Sequence, residues 1–579
     1  MIPFANSSTN RLHMNYILRL TPLLLLHSLA FAAVPTAPLL GAGGSSSTWV
    51  VSANADGTGT GTLASPMTLA QAHDRASPGD RIQLTATGGA YALDRPIAPP
   101  VSKLTYEAYP GQQPRIVSCT GDAAGGTVPK VCFFVKNRRD IFIRNLTIDA
   151  PDAYIYAFAE DFVRLELSGV TARNASLSRS SFVFQGQSED LRIANADWSG
   201  RTLAGEYGNG NDLIQIGGGV RFIEIAYSTF RQGEHNLLNL KGSYAFIHHN
   251  NFDNTEVSDG TTGYRAFSLS APRGLSGASS YADPGPPYGY HLVEHNRIAS
   301  GDPGPNFNAA TAKFQTADTI IRFNEFRARS PRQLEMIQMQ TCCWGEGNAP
   351  FRAPVVEDQR IYNNRFPQMA ETFSRFRTPT YPENPRTINA GSWIFNNHFG
   401  RFRNSNPEFA RFSWDIHPDL QRASEISGYR VESNSFQDNA DLVTCSLSDT
   451  TAMMALTECG SRHSGAIQRN RFGSSGGAGQ GRALTVTTGS GSNARQIAVE
   501  DARVFYPKLV SPKSGRVIFP GDLITVAGTQ ARVTSINTST NTIFVDRPVS
   551  WTAQTPLNLS EHPPGYTGLP PTAQSGDPG

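Results

Sequence analysis

One short phrase recurs along this chain: an aliphatic or aromatic residue, two variable residues, an Asn, one further residue, then Phe or Ile. It is read at Asn250 (Ile247 to Phe252), Asn296 (Val293 to Ile298), Asn324 (Ile321 to Phe326), Asn364 (Ile361 to Phe366), Asn397 (Ile394 to Phe399), Asn434 (Val431 to Phe436) and Asn470 (Ile467 to Phe472). Ser228 holds the same slot between Ile225 and Phe230. The step from Ser228 to Asn250 is 22 residues and the later steps are longer. Constant wording with variable spacing is the mark of stacked units joined by loops of unequal length, a solenoid.

Between these anchors runs a second column of polar residues set among apolar ones: Gln215, Asn239, Ser268, Gln315 and Gln338, then Arg375, Ser413, Thr444 and Thr485. Flankers such as Ile214/Ile216 and Leu238/Leu240 alternate with it at period two, which predicts short strands with one face inward. Each turn of the solenoid therefore supplies at least two strands and one Asn-bearing bend. Asn tolerates left-handed backbone, bonds nearby backbone groups, and in a stack bonds the next amide along the axis. These Asn residues are assigned a structural role and no chemistry.

The 579-residue chain is rich in Gly and Pro and has few helix-like stretches, which points to an all-β protein. A net charge of +2 offers no global field for nucleic acid, so an acidic partner must meet a local basic strip. Residues 1–33 read as an export signal: Arg11, His13 and Arg19 precede the apolar run Leu23 to Phe31, and Ala30-Phe31-Ala32 offers a cleavage site. That run is too short for a membrane span, so the expected location is secreted or periplasmic. The six Cys agree with an oxidising compartment: Cys119 with Cys132 and Cys445 with Cys459 are expected to staple loops, and Cys342-Cys343 are adjacent.

Ahead of the repeats, Trp49 to Ser52 reads as a strand, Thr68 to Ala76 as a short helix, and Arg81 to Leu84 as a strand after the stop Ser77-Pro78-Gly79-Asp80. Asp56-Gly57-Thr58-Gly59, Ser65-Pro66-Met67-Thr68-Leu69, Ala72, Ala76 and Ser77 to Ile82 resemble the opening of secreted right-handed parallel β-helix proteins of the pectate-lyase-like superfamily. That resemblance implies a cap on the first turn and a single-stranded right-handed parallel β-helix over residues 48–490. Residues 500–562 are expected to form a small C-terminal β module, with strands within Phe519–Val526, Ala531–Ile536 and Thr542–Asp546, followed by a flexible tail at 563–579.

In a parallel stack, equivalent outward positions form ladders along which an extended polymer lies. Asp212, Asn236, Arg265, Ala312 and Glu335 stand three residues before the polar column, while Gly217, Lys241, Ser270, Ala317 and Gln340 stand two after it. This predicts that Asp212, Lys241 and Arg265 share one outer wall, with His235 beside them and Lys313, Arg375 and Arg411 extending a basic strip. The set suits β-elimination on a uronic-acid polymer, which needs a cation on the sugar carboxylate and a base for the C5 proton. Lys241 is the expected base, with His235 orienting substrate or sharing proton transfer. Arg265 or Arg273 is the carboxylate partner, and Arg273, Lys313, Arg375 and Arg411 are substrate cations. Asp212, Glu234 and Asn236 are candidate oxygen ligands for calcium.

The stretch Gly233-Glu234-His235-Asn236-Leu237-Leu238-Asn239-Leu240-Lys241 is similar to a segment of the chondroitinase-B and alginate-lyase family. There a calcium-binding Glu lies seven residues before the catalytic Lys, which the resemblance carries to Glu234 and Lys241. The family's second Glu is here Asn236, and Ser270 stands where its Arg would be. Two other classes stay open. A hydrolase acting on pectin-like glycans would use Glu335 with Asp358 or Asp415, although no Asp-Asp pair or Gly-His-Gly is present. A noncatalytic glycan-binding or cell-surface protein needs only the solenoid.

Overall fold

The computed structural model describes residues 46–561 apart from 124–125, 127, 177–178, 202–210, 234, 255–264, 271–288, 301–309, 317, 329–334, 341–355, 369–371, 379–387, 402–411, 417–424, 438–442, 448–452, 455–462 and 472–480. Each repeat contributes one strand to each of three long sheets, here called A, B and C in the order the chain visits them, with 16, 12 and 12 strands. Successive coils pair in parallel: Ile225 with Ile247 in sheet A, Phe230 with Phe252 in sheet B, Leu238 with Phe267 in sheet C. This is the parallel β-helix that the resemblance implied, wound on the solenoid that the repeat anticipated.

The repeated phrase makes the corner between sheets A and B. The left-handed residue there is not the Asn but the one before it: Tyr227, His249, His295, Phe323, Asn363, Asn396, Ser433 and Arg469 all have φ between +52° and +56°. That one residue swings the chain through the corner and turns the Asn inward, where Asn296, Asn324, Asn364, Asn397 and Asn434 are fully buried. Asn364 shows the bonding. Its Oδ1 accepts from Asn324 N (3.0 Å) and Nδ2 (3.1 Å), and its Nδ2 donates to Ile321 O (2.8 Å), Tyr362 O (3.0 Å) and Asn397 Oδ1 (3.0 Å). The same arrangement runs without a gap from Ser228 to Asn470. It satisfies corner groups that would otherwise be buried without partners. Behind it the phrase's terminal residue stacks: Phe366 on Phe399 at 4.9 Å and Phe399 on Phe436 at 4.7 Å, ring centre to ring centre.

The helix Leu69–Arg75 closes the first coil. Thr68 caps it: its Oγ1 accepts from Gln71 N (3.2 Å), and Gln71 Oε1 accepts from Thr68 N (2.9 Å). The Ser77-Pro78-Gly79-Asp80 stop has a second task, because the buried Asp80 accepts from Ser47 N (2.7 Å), Trp49 Nε1 (3.0 Å) and Ser77 N (2.9 Å), tying the cap to the first strand. Cys119 and Cys132 are joined. The loop between them lays Ala123 and Val128 against Val131, Ile155 and Phe158, covering the outer face of sheet C over its first coils. Cys342, Cys343 and Cys459 lie outside the described residues, as do the proposed signal and the tail 563–579. No helix among the described residues is long and apolar enough to cross a membrane.

At the C-terminal end, the strands Val517–Phe519, Leu523–Val526, Thr529–Asn537 and Thr542–Trp551 realise the expected module. Thr485 pairs antiparallel with Leu557 in this module's sheet, so it does not continue the solenoid's polar column. The module lies on sheet A. Phe519 packs on Phe246 at 4.9 Å, and Arg322 is held between Glu294 (2.7 Å) and Asp522 (2.6 Å), all three buried. Arg516 bonds Asp190 (2.6 Å) and Glu224, while Ser511 Oγ (2.6 Å) and Lys513 N (2.7 Å) donate to Glu189.

Candidate active site on sheet C

Sheet C carries the outward ladders. Its middle row runs Phe134, Phe158, Val183, Gln215, Asn239, Ser268, Lys313, Gln338, Arg375, Ser413, Thr444. One coil, that of the strand Ala310–Gln315, differs from the sequence reading. Lys313, not Gln315, pairs with Ser268, and Gln315 pairs with Ser270; Ala310, not Ala312, pairs with Glu335. The register slips by two where a long loop precedes the strand, because alternation fixes which residues face out but not which rung they occupy. The row changes from apolar to polar after Val183, where the disulfide-stapled loop ends its cover.

On one side of this row, Asp212, Asn236 and Arg265 pair in successive strands as anticipated. Asp212 is buried and collects donors: Asn236 Nδ2 at 2.6 Å and His235 Nδ1 at 3.0 Å on Oδ1, and Asn239 Nδ2 at 2.7 Å on Oδ2. Ser180 Oγ accepts from Asp212 N at 3.2 Å. The tautomer with its hydrogen on Nδ1 donates to Asp212 and leaves the Nε2 lone pair open to a proton, whereas Asn236 Nδ2, 2.7 Å from the same Nδ1, favours the other tautomer. His235 is about one-third exposed.

The turn bearing His235 is held from the next corner. Asn254, fully buried, accepts from Gly233 N (2.8 Å) and donates to Arg265 O (3.0 Å), while Arg265 N donates to His235 O (3.1 Å). Gly233 is required here because a Cβ would stand 2.8 Å from Asn236 O. Asn254 falls outside the repeated phrase and was not singled out by sequence; the glycine was its one available signal.

Lys241 sits across the row. It follows the strand Asn236–Leu240, with its N donating to Ile216 O at 2.8 Å. Five strand positions separate it from Asn236, about 16 Å at about 3.3 Å per residue. The register thus brings Asp212, Asn236, His235 and Arg265 together on one flank and sets Lys241 on the other, with the row of Asn239 and Ser268 between. Lys313 and Arg375 share the middle row two rungs apart, roughly 10 Å at a strand spacing of about 4.8 Å. Glu234, Arg273 and Arg411 lie outside the described residues, as does most of the loop Tyr281 to Tyr290.

The described members of the calcium set, Asp212 and Asn236, supply only part of such a site, and the buried Asn236 Oδ1 makes no hydrogen bond. Calcium asks for six to eight oxygens around one point. Both oxygens of Asp212 are instead taken by N–H groups, and Asn236 turns its nitrogen toward the carboxylate. Among the described residues there is no group of three or more His, Cys, Asp or Glu suited to a metal. Of the hydrolase carboxylates, Glu335 and Asp415 belong to sheet C strands, but Asp358 lies at the module interface, 3.3 Å from Arg503 and 3.7 Å from Arg360.

No family model matches the chain, and no curated protein matches its sequence. Among solved structures it is similar to PfbA, a surface adhesin of Streptococcus pneumoniae, at 10% identity over 73% of this chain and 91% of that one, with a TM-score of 0.38. It is also similar to a GH136 lacto-N-biosidase from Eubacterium ramulus, at 11% identity over 73% and 67% of the two chains (TM-score 0.37). The alginate lyase AlyF-OU02 matches at 12% identity over 70% and 84% (TM-score 0.37). Likenesses of this extent decide nothing about chemistry.

Proposed function

We propose that the outer face of sheet C binds an acidic polysaccharide and cleaves it by β-elimination at a uronic-acid residue. The observation that supports this most is the His235 imidazole fixed by the buried Asp212 and set one register step from Arg265. Elimination needs those two elements side by side: a cation on the sugar carboxylate, which makes the C5 proton removable, and a base aimed at that proton. A neutral imidazole accepts a proton near pH 7 without special tuning, whereas an ammonium must first lose one. His235 is therefore given the role of base, in place of Lys241.

In the step, Nε2 takes the C5 proton and the electron pair is held as an enolate against Arg265. The C4–O bond then breaks to leave a C4=C5 double bond, and the imidazolium returns its proton to the departing oxygen. Lys241, on the far flank, binds a carboxylate of the same polymer, and Lys313 and Arg375 continue the basic row. No step is routed through calcium.

Purified protein incubated with pectate, alginate and chondroitin is expected to generate the ultraviolet absorbance of an unsaturated uronate. New reducing ends without that absorbance would mean hydrolysis, and binding with neither would mean a noncatalytic protein. His235→Ala is expected to lower kcat by about 10²–10⁴-fold, and Lys241→Ala to raise KM with kcat largely kept. The opposite pair of results, with both variants folded, returns the base to Lys241.

A further inference from the structure

The corner between sheets A and B, tight in most coils, is opened in the first two, where residues 85–90 and 109–114 make the connection. The strands Arg139–Arg144 and Thr147–Ile148, like Val163–Ser168 and Thr171–Ser176, are joined by two residues each. In the coil before them, Leu104–Ala108 and Arg115–Cys119 are joined by the six residues 109–114. The 109–114 connection walls a groove of about 780 Å³, lined on its other side by the two short corners and the start of sheet B.

The wall is built rather than loose. Tyr109-Pro110-Gly111-Gln112 is a turn closed by Gln112 N donating to Tyr109 O (3.0 Å), with Gly111 at φ +77° as such a turn demands after Pro. Tyr109 N donates to Leu84 O (2.8 Å), and Gln112 Oε1 accepts from Ala86 N (2.6 Å), anchoring both ends to the preceding coil. On the other side, Gly169 at φ +65° has no room for a Cβ, which would lie 2.2 Å from Asn145 Oδ1.

We propose that this groove is a second saccharide-binding site, separate from sheet C, for an anionic oligosaccharide. Its size suits several sugar rings. Its lining has the chemistry that recognises them: the half-buried Tyr109 ring for a sugar face, the Thr147 and Thr171 hydroxyls on adjacent rungs, and the ion pair of Arg115 with Asp149 (2.9 Å) for neighbouring hydroxyls. Asn174 Nδ2 donates to Asp149 Oδ1 (2.8 Å) and so fixes the carboxylate. Arg173 is a second cation against that single carboxylate, which favours an acidic over a neutral chain. A lone Asp–Arg pair supplies no second acid or base, so the site binds and does not cleave.

The test uses calorimetric titration of the full chain carrying His235→Ala, with a hexamer of galacturonate and with maltohexaose as probes. Tyr109→Ala, at a half-buried ring, and Arg173→Ala, at an exposed side chain, are each made in that background. Galacturonate binding weakened about tenfold or more by either change, with maltohexaose weaker throughout, supports the site. A titration in which neither change weakens any binding component, beyond one that Lys241→Ala weakens and so belongs to sheet C, or no measurable binding of both probes, overturns it. Preferred binding of maltohexaose overturns the anionic assignment. Turnover by Tyr109→Ala in the otherwise native chain is expected to equal that of the unaltered protein, so failure of the elimination proposal and failure of this one are read separately.

Discussion

The fully buried Asn364 side chain makes five hydrogen bonds, and truncating it leaves several donors and acceptors with no replacement. Each buried group so orphaned costs about 1–3 kcal/mol, so Asn364→Ala is expected to lose about 3 kcal/mol or more in urea unfolding at unchanged slope. A loss below about 1 kcal/mol would show that the stacked amides are decoration. Two histidines make a pH prediction with a definite sign. Burial pushes His291 down to about 3 and His73 down to about 4. An unfolded imidazole takes its proton near pH 6.5 while these resist, so stability is full above about 6.5 and falls as the pH drops toward 4. His291→Leu should flatten part of that decline, and an unchanged pH profile would exclude His291 as a contributor. At Asp212, where nitrogen donors occupy both oxygens, chelation by EDTA is expected to leave turnover intact; a loss restored by calcium would reinstate the metal.

The stapled loop and the corners are the elements on which sequence and structure part. Cys119 and Cys132 were legible as a pair because they bracket one Gly-rich stretch, and the bond closes a loop spanning 13 positions. Loops of that size contribute about 3 kcal/mol through the unfolded chain, so the Cys119→Ser, Cys132→Ser double variant should unfold about that much more readily. Melting that is insensitive to both changes would leave the loop's packing on Phe158 as its whole anchor. The corner was legible as an Asn-bearing bend. Which residue turns left-handed was not, because Tyr, His, Phe, Ser and Arg fill that position as well as Asn. Likewise, period-two alternation located the strands of sheet C, but the row assignment slipped two residues at Lys313, since nothing local fixes a register after a long connection.

At the level of the whole molecule, the coil and its cap were readable because they repeat or sit close together in sequence, whereas the clasp between solenoid and module was not. Arg322 and Asp522 are 200 residues apart and belong to no motif. Arg322→Met is expected to cost about 3–5 kcal/mol, because it strands the Asp522 and Glu294 carboxylates in the interior. Thermal melting with limited proteolysis of the module would measure it, and adding Asp522→Leu should recover much of the loss. Equal protease resistance in the single variant and the native chain would mean the module holds by its apolar face alone. The site flank was half legible: Asp212, Asn236 and Arg265 fell on one row as read, but Asn254 and the distance to Lys241 follow from folding that no local pattern records.

The bonds from Ser514 and Arg516 to Asp190 reach back across more than 300 positions. A nascent chain emerges with its N-terminal segments first, so the early coils must wind and wait with Asp190 and Glu224 unmatched until residues 514 and 516 have been made. Maturation of this fold is thus timed by the segment 511–516, and a transcript cut short before residue 511 would yield a coil that never latches.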